Sequence, residues 1–226
     1  MSLKRISGGL LMHHALVADD HPLFRAALIQ ALAPMFGTNI NQTECLSSTF
    51  TFLRGAPETD IVFLDLTMPG NDGLSGLVEC HHAFPNTIFV IVSAHESASL
   101  MSKAIQLGAG GFIPKSTPLT LITAAVEQIL EGEIWLPEGV DCLSSGEDSE
   151  TQVFLARLAL LTPHQLIVLK YMADGLLNKQ IAYEMQISES TVKQHASAVL
   201  KKLNLINRTK AGVMYKQFMD SGESSS

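Results

Sequence analysis

Short apolar runs alternate with amphipathic stretches over the first 135 residues of the chain. Ala15–Ala18, Ile61–Leu64, Ile88–Val92 and Gly111–Ile113 have the length and composition of buried strands, and Glu44–Ser47 is a weaker candidate. Between them, Pro22–Met35, Leu74–Ala83, Ser97–Leu107 and Pro118–Leu130 carry apolar residues at helical spacing, and Pro22 and Pro118 suit a helix's first turn. Strands alternating with helices predict an α/β fold, a doubly wound parallel sheet whose sites lie at the carboxyl ends of the strands. The rest of the chain has no strand pattern. Its apolar spacing predicts helices near 152–158, 163–174, 178–186, 189–203 and 208–219, a small all-α unit.

Charge divides the chain at the same place. The 226 residues, 46% of them apolar, carry a net charge of −7, a total that taken alone argues against a nucleic-acid partner. The total hides a split: residues 1–150 hold six basic and 17 acidic side chains, net −11, and residues 151–226 hold nine and five, net +4. Between the halves, Pro137–Glu150 is polar, acidic and turn-rich, as linkers are. The expected organisation is an N-terminal extension over 1–13, a domain over 14–136, a linker over 137–157, a second domain over 158–219 and a disordered tail over 220–226. No apolar run approaches the ~20 residues of a membrane span, and the N-terminus lacks a signal h-region, so no membrane association is expected. Cys45, Cys80 and Cys142 are odd in number with no Cys-x-x-Cys, which argues against a disulfide framework or zinc site and fits a cytoplasmic protein.

Candidate chemistry follows from where the acids fall. Asp19 and Asp20 end the first apolar run, and Asp65 ends Ile61-Val-Phe-Leu-Asp65. If those strands are neighbours, three carboxylates crowd one mouth. Their repulsion calls for a cation, and oxygen ligands select a hard ion such as Mg²⁺. A metal-bound carboxylate with an open side is a competent nucleophile toward a phosphoryl group. Taken singly, Asp20 also suits a cap for the helix at Pro22, and Asp65 a strand end. Ser93 and Lys115 follow two further strands, and a hydroxyl and an ammonium suit the oxygens of a transferred phosphoryl group.

The ordered set Val17-Ala-Asp-Asp-His-Pro-Leu-Phe-Arg25, Leu64-Asp-Leu-Thr-Met-Pro-Gly70, Val92-Ser-Ala94 and Gly111-Phe-Ile-Pro-Lys115 resembles the receiver domain of two-component response regulators, over about residues 14–135. The resemblance implies a five-stranded sheet in the order 2-1-3-4-5 and a histidine kinase, or a small phosphodonor, as phosphoryl source. It implies Asp65 as phosphoacceptor and Mg²⁺ held by Asp19, Asp20, Asp65 and the Thr67 main-chain carbonyl. Ser93 and Lys115 would contact the phosphoryl group, and Ser93 and Phe112 would form the switch.

In the basic half, Ser188 is placed to cap a helix along which Val192, Ala196, Val199 and Leu203 form one apolar stripe. The opposite side offers Ser190, Lys193, Gln194, Ser197 and Lys201, and a short helix with Lys179 precedes it across a tight turn, a helix-turn-helix arrangement. Leu161-Thr-Pro-His-Gln165, Gly175-Leu-Leu-Asn-Lys-Gln-Ile-Ala182 and Ile187-Ser-Glu-Ser-Thr-Val-Lys-Gln-His195 resemble the LuxR-type DNA-binding domain that follows receivers in the NarL/FixJ family. The resemblance implies double-stranded DNA as partner, with Lys193, Gln194 and Ser197 facing bases and Lys179, Ser190, Thr191 and Lys201 facing phosphates. It also implies a last helix, about Arg208–Phe218, that pairs two copies as a homodimer in the active state, and RNA polymerase as a further partner. Helix 163–174 is unusually apolar for the family, which marks Leu166 or Ile167 for packing on the receiver or on a partner subunit.

These features predict a phosphorylation-switched transcription regulator rather than an enzyme. A phosphohydrolase using Asp65 would need a second Asp two residues on, where Thr67 stands. The remaining alternative is a LuxR-type regulator whose receiver acts without phosphate. The charge split further predicts that the acidic domain docks on the basic one and covers Lys193 and Lys201 until phosphorylation releases it.

Overall fold

The structure, a computed structural model, describes residues 13–71, 73–140, 149–158 and 160–219. Its N-terminal part is a five-stranded sheet of β1 (Ala15–Ala18), β2 (Ile40–Thr43), β3 (Ile61–Asp65), β4 (Ile88–Ser93) and β5 (Gly111–Pro114), all parallel, in the order 2-1-3-4-5. Helices α1 (Pro22–Phe36) and α5 (Leu119–Leu130) cover one face, and α2 (Leu46–Gly55), α3 (Ser75–Ala83) and α4 (Ala98–Gln106) the other. β1, β3 and β5 are buried along their whole length, which is why they read as unbroken apolar runs.

The second strand departs from expectation. Ile40–Thr43 forms it, whereas Glu44–Ser47 does not: Glu44 pairs with Arg25, and Leu46 begins α2. As an edge strand β2 buries only Thr43, with Asn41 and Gln42 exposed, so it lacks an apolar signature. Helix α2, rich in Ser and Thr, is also unannounced by the apolar pattern. Pro118 is the N-cap of α5 rather than part of its first turn, whereas Pro22 does open α1.

The C-terminal part is helical: α6 (Ser149–Leu158), α7 (Pro163–Ala173), α8 (Asn178–Glu184), α9 (Glu189–Leu203) and α10 (Arg208–Met219). Helix α6 overlaps the end of the 137–157 stretch, running one residue past it, and buries Phe154 and Leu158; residues 141–148 of that stretch, like 1–12 and 220–226, lie outside the described residues. Thr162 caps α7 by accepting from the Gln165 amide, and Ser188 caps α9 by accepting from the Thr191 amide. Gln186, at φ 54°, turns the chain between α8 and α9. Val192, Val199 and Leu203 are buried and Ala196 half-buried, so the expected stripe of α9 faces the helical core.

The apolar interior has two clusters, and their difference matters for function. Val17, Phe63, Val90 and Ile113 join α1 and α5 in one. Leu64, Ile91 and Phe112 join α3 and α4 in the other, which runs without a break into Phe154, Leu166, Val192, Leu203 and Phe218 of the helical domain. The two domains therefore share one core through the α3–α4 side of the sheet.

Candidate functional site

The carboxyl ends of β1, β3 and β5 bring acids and a lysine into one pocket. Asp65 is fully buried and its carboxylate is held from several sides. Lys115 Nζ donates to Oδ2 at 2.9 Å, and the Thr67 hydroxyl lies 3.1 and 3.2 Å from the two oxygens. The Thr67 amide donates to Oδ1 at 3.2 Å. Lys115 also lies 2.8 Å from Asp19 Oδ2, so one ammonium bridges carboxylates from β1 and β3. β1 pairs with β3, and β3 with β4, in register through Ala18, Leu64 and Ile91, which is what places Asp19 beside Asp65.

Ser93 closes β4 next to β5, where the Lys115 amide donates to the Ser93 carbonyl at 2.8 Å; its buried hydroxyl accepts from the His95 amide at 3.0 Å. Phe112 is fully buried on the α3–α4 side of the sheet, in the cluster shared with the second domain.

Three further residues belong to this pocket and were not expected there. Arg25 donates to the Asp19 carbonyl at 2.6 Å and to Gln42 and Glu44, tying β1 to β2. Asn71 donates to the Asp65 carbonyl at 2.7 Å and accepts from the Gly76 amide, which fixes the loop after β3 to the start of α3. His21 points its ring at the acids, with Nδ1 2.8 Å from Asp20 Oδ1, 3.2 Å from Asp19 Oδ1 and 3.6 Å from Asp65 Oδ2. Its position next to Asp20 was the only signal available in the sequence.

The donor set fits a hard cation. Carboxylate oxygens of Asp19, Asp20 and Asp65 and the His21 nitrogen all lie within 4.8 Å of one another. Asp19 Oδ2 and Asp20 Oδ1 are buried and receive no directed hydrogen bond, although each has a nitrogen 2.8 Å away. Buried anionic oxygens left in that condition favour an ion.

In the helical domain, Lys179, Ser190, Lys193, Gln194, Ser197 and Lys201 are exposed and Thr191 is half-buried. Lys193 pairs with Glu189 one turn earlier at 3.0 Å. Lys202 is turned away to the Leu160 carbonyl and Gln165, and Arg208 ties α10 to the Leu176 carbonyl and Asn178. His195 is half-buried and stacks on His164 at 6.0 Å.

The expected docking of the two domains is present, but it covers a different surface. Lys193 and Lys201 are open. The receiving surface is instead α7 and α10: Lys170 pairs with Glu79 of α3 at 3.4 Å, Lys103 of α4 lies 5.2 Å from the centroid of the Phe218 ring, and Met219 abuts Gly73. Leu166 is buried and Ile167 half-buried within α7. Burial of Phe154, Phe218 and Met219 outweighs long-range charge attraction, so the apolar face rather than the basic face turns inward. Among the described residues, no helix is long and apolar enough to cross a membrane.

Residues 15–127 match the response regulator receiver domain, and residues 159–215 match the luxR family of bacterial regulatory proteins. Over 206 residues the chain is 42% identical to the glycerol metabolism activator of Pseudomonas putida, a match spanning 88% of this chain and 93% of that one. It is 29% identical over 203 residues to the nitrate/nitrite response regulator protein NarL of Escherichia coli K12, spanning 89% and 94%. Among solved structures, RcsB from Salmonella enterica serovar Typhimurium, bound to the promoter rprA with the phosphomimetic BeF3-, is similar with a TM-score of 0.55 at 20% identity, over 92% of this chain and 99% of that one. At that identity the likeness is one of fold.

Proposed function

The chain belongs to the response regulators that join a receiver to a luxR-family DNA-binding domain, and on that premise we propose that Asp65 is the phosphoacceptor whose modification governs how the second domain meets DNA. The observation that carries this reading is the Asp65 carboxylate, buried at the sheet's carboxyl edge and bonded to Lys115 at 2.9 Å. A histidine kinase or a small phosphodonor supplies the phosphoryl group. Asp65 Oδ attacks phosphorus as the bond to the donor atom breaks, and the leaving group takes up a proton from solvent. Lys115 and the Ser93 hydroxyl then meet the phosphoryl oxygens. Mg²⁺, held by Asp19, Asp20, Asp65 and the Thr67 main-chain carbonyl, would supply charge neutralisation at those oxygens. With Thr67 in place of an acid two residues after Asp65, the pocket acts as a switch and not as a turnover catalyst.

Ser93 and Phe112 carry the signal. Drawing the Ser93 hydroxyl toward the phosphoryl group shifts the end of β4, and Phe112 transmits this to the cluster that α4 shares with Phe218. Freed from the receiver, α10 pairs two copies of the chain on paired half-sites of double-stranded DNA. Lys193, Gln194 and Ser197 read base edges; Lys179, Ser190, Thr191 and Lys201 contact phosphates. On the promoter, the dimer's remaining partner is RNA polymerase, in the cytoplasm. Incubation with acetyl phosphate and Mg²⁺ followed by intact mass tests the core of this reading. The expected result is a stable gain of about 80 Da, absent in Asp65→Asn and slow to form in Asp20→Asn. Labelling of Asp65→Asn at the unaltered rate would refute it.

A further inference from the structure

We propose that Asn71 is a positioning residue that ties the main chain of the phosphoacceptor to α3 and, through α3, to α7 of the second domain; the inference rests on the reading of Asp65 given above. The tie consists of two hydrogen bonds. Asn71 Nδ2 donates to the Asp65 carbonyl at 2.7 Å, and Asn71 Oδ1 accepts from the Gly76 amide at 3.0 Å. A main-chain carbonyl only accepts and a main-chain amide only donates, so the two partners fix which way the side-chain amide points. Both bonds are buried, and Asn71 itself is 5% exposed. Water therefore has no ready access to replace them.

The helix end is built around this side chain. Gly76 is the second residue of α3, and after proline glycine is the least favourable residue inside a helix. A Cβ at Gly76 would stand 2.2 Å from Asn71 Oδ1, so the close approach requires glycine. Leu74, the N-cap of α3, makes no side-chain cap, and Asn71 supplies an acceptor to the first turn from outside the helix. One turn further on, Glu79 Oε1 lies 3.4 Å from Lys170 Nζ of α7. Phosphorylation acts at the near end of this chain of contacts. The Thr67 hydroxyl lies 3.1 and 3.2 Å from the two Asp65 carboxylate oxygens, one of which becomes the bridging oxygen of the acyl phosphate. That oxygen loses its charge and accepts less strongly, so Thr67 shifts. The Asn71 amide donates to the Met68 carbonyl at 2.9 Å, which makes the loop compact and delivers the displacement to Asn71. This route is separate from that of Ser93 and Phe112.

The test is hydrogen exchange of the α7 and α10 segments in the full chain, with and without beryllofluoride and Mg²⁺, for wild type, Asn71→Ala and Gly76→Ala. The two variants cut the tie from opposite ends. Asn71→Ala strands two buried polar groups and should lower Tm, whereas Gly76→Ala only displaces a side-chain amide and removes a helical glycine, so it stays folded. In wild type beryllofluoride should speed exchange of these segments by about fivefold or more. In both variants that response should be smaller by about threefold or more, with exchange in the absence of beryllofluoride at the wild-type level and acetyl phosphate still adding about 80 Da. A merely structural Asn71 would change Tm and leave the response to beryllofluoride intact. A response of wild-type size in either variant, exchange already at the beryllofluoride level without it, or loss of labelling in the variants overturns the proposal and leaves Asp65 as phosphoacceptor. A wild type that takes no label, or whose exchange ignores beryllofluoride, removes the reading of Asp65 itself, and the proposal with it.

Discussion

The ammonium of Lys103 lies 5.2 Å from the centroid of the Phe218 ring, joining α4 of the receiver to the last helix of the DNA-binding domain. Lys103 is itself buried, and Phe218 stacks on Phe154 at 4.8 Å, so the contact sits inside the shared core rather than at its rim. A desolvated cation–π contact is worth about 0.5–2 kcal/mol. Lys103→Ala should therefore raise the affinity of the unphosphorylated chain for DNA by about two- to thirtyfold, and beryllofluoride should add less to the variant than to wild type. Fluorescence anisotropy on a cognate duplex measures both. Unchanged affinity would show that this contact does not hold the domains closed.

Gly73 provides an independent way to part the same surfaces. It has φ +60°, a conformation that favours glycine, and a Cβ there would stand 2.2 Å from the Met219 carbonyl oxygen. Gly73→Ala should push the C-terminal end of α10 off the receiver. Analytical ultracentrifugation should then show a larger dimer fraction without phosphodonor than in wild type. A monomer indistinguishable from wild type would mean that α10 stays docked.

Lys193 and Lys179 should fail differently when removed. Lys193→Ala should cost about 1–3 kcal/mol on a cognate site and much less on random duplex, if it reads a base edge. Lys179→Ala should weaken both equally and lower the slope of log affinity against log salt by about one, as expected for a phosphate contact. Salt titrations of the beryllofluoride-bound full chain separate the two. Equal losses on both duplexes would reassign Lys193 to the backbone.

Two cysteines should titrate in opposite directions. Cys45 lies at the N-terminus of α2 with the Ser47 and Ser48 hydroxyls each 3.2 Å from its sulfur, and these bring its pKa down from 9.0 to about 7. Burial pushes the Cys80 thiol well up. In a Cys142→Ser background, alkylation by iodoacetamide should map to Cys45 with a midpoint near pH 7 and spare Cys80 until the chain unfolds. Because the folded pKa of Cys45 is depressed, its contribution to stability is complete above the unfolded value of 9.0 and vanishes as pH falls through about 7. Exposure of the thiol keeps that contribution small.

Much of the architecture is legible along the chain because β1, β3 and β5 are buried on both faces and so appear as short unbroken apolar runs. The acids and the lysine were legible for a related reason. In a parallel sheet every strand ends at the same edge, so Asp19, Asp65, Ser93 and Lys115, each ending or following an apolar run, must converge once the strands are adjacent. The exposed face of α9 was legible from its 3.6-residue period. Strand β2 was not, since an edge strand that buries only Thr43 leaves no apolar pattern to read.

What the sequence determined by itself was thus local: which segments must be buried, which helix is amphipathic, and which polar side chains sit at strand ends. Which surfaces of the two domains meet was decided only by the tertiary structure. The charge split predicted that the basic face of α9 would turn toward the acidic domain, yet Phe218 and Met219 of α10 are buried and Lys193 and Lys201 remain in solvent. Charges that stay hydrated gain little from approach, whereas an aromatic ring gains in proportion to the area removed from water. That area depends on the shapes of the opposing surfaces, here α3 and α4 against α7 and α10. Those are relations between side chains set by packing in three dimensions, and no periodicity along one strand or helix encodes them.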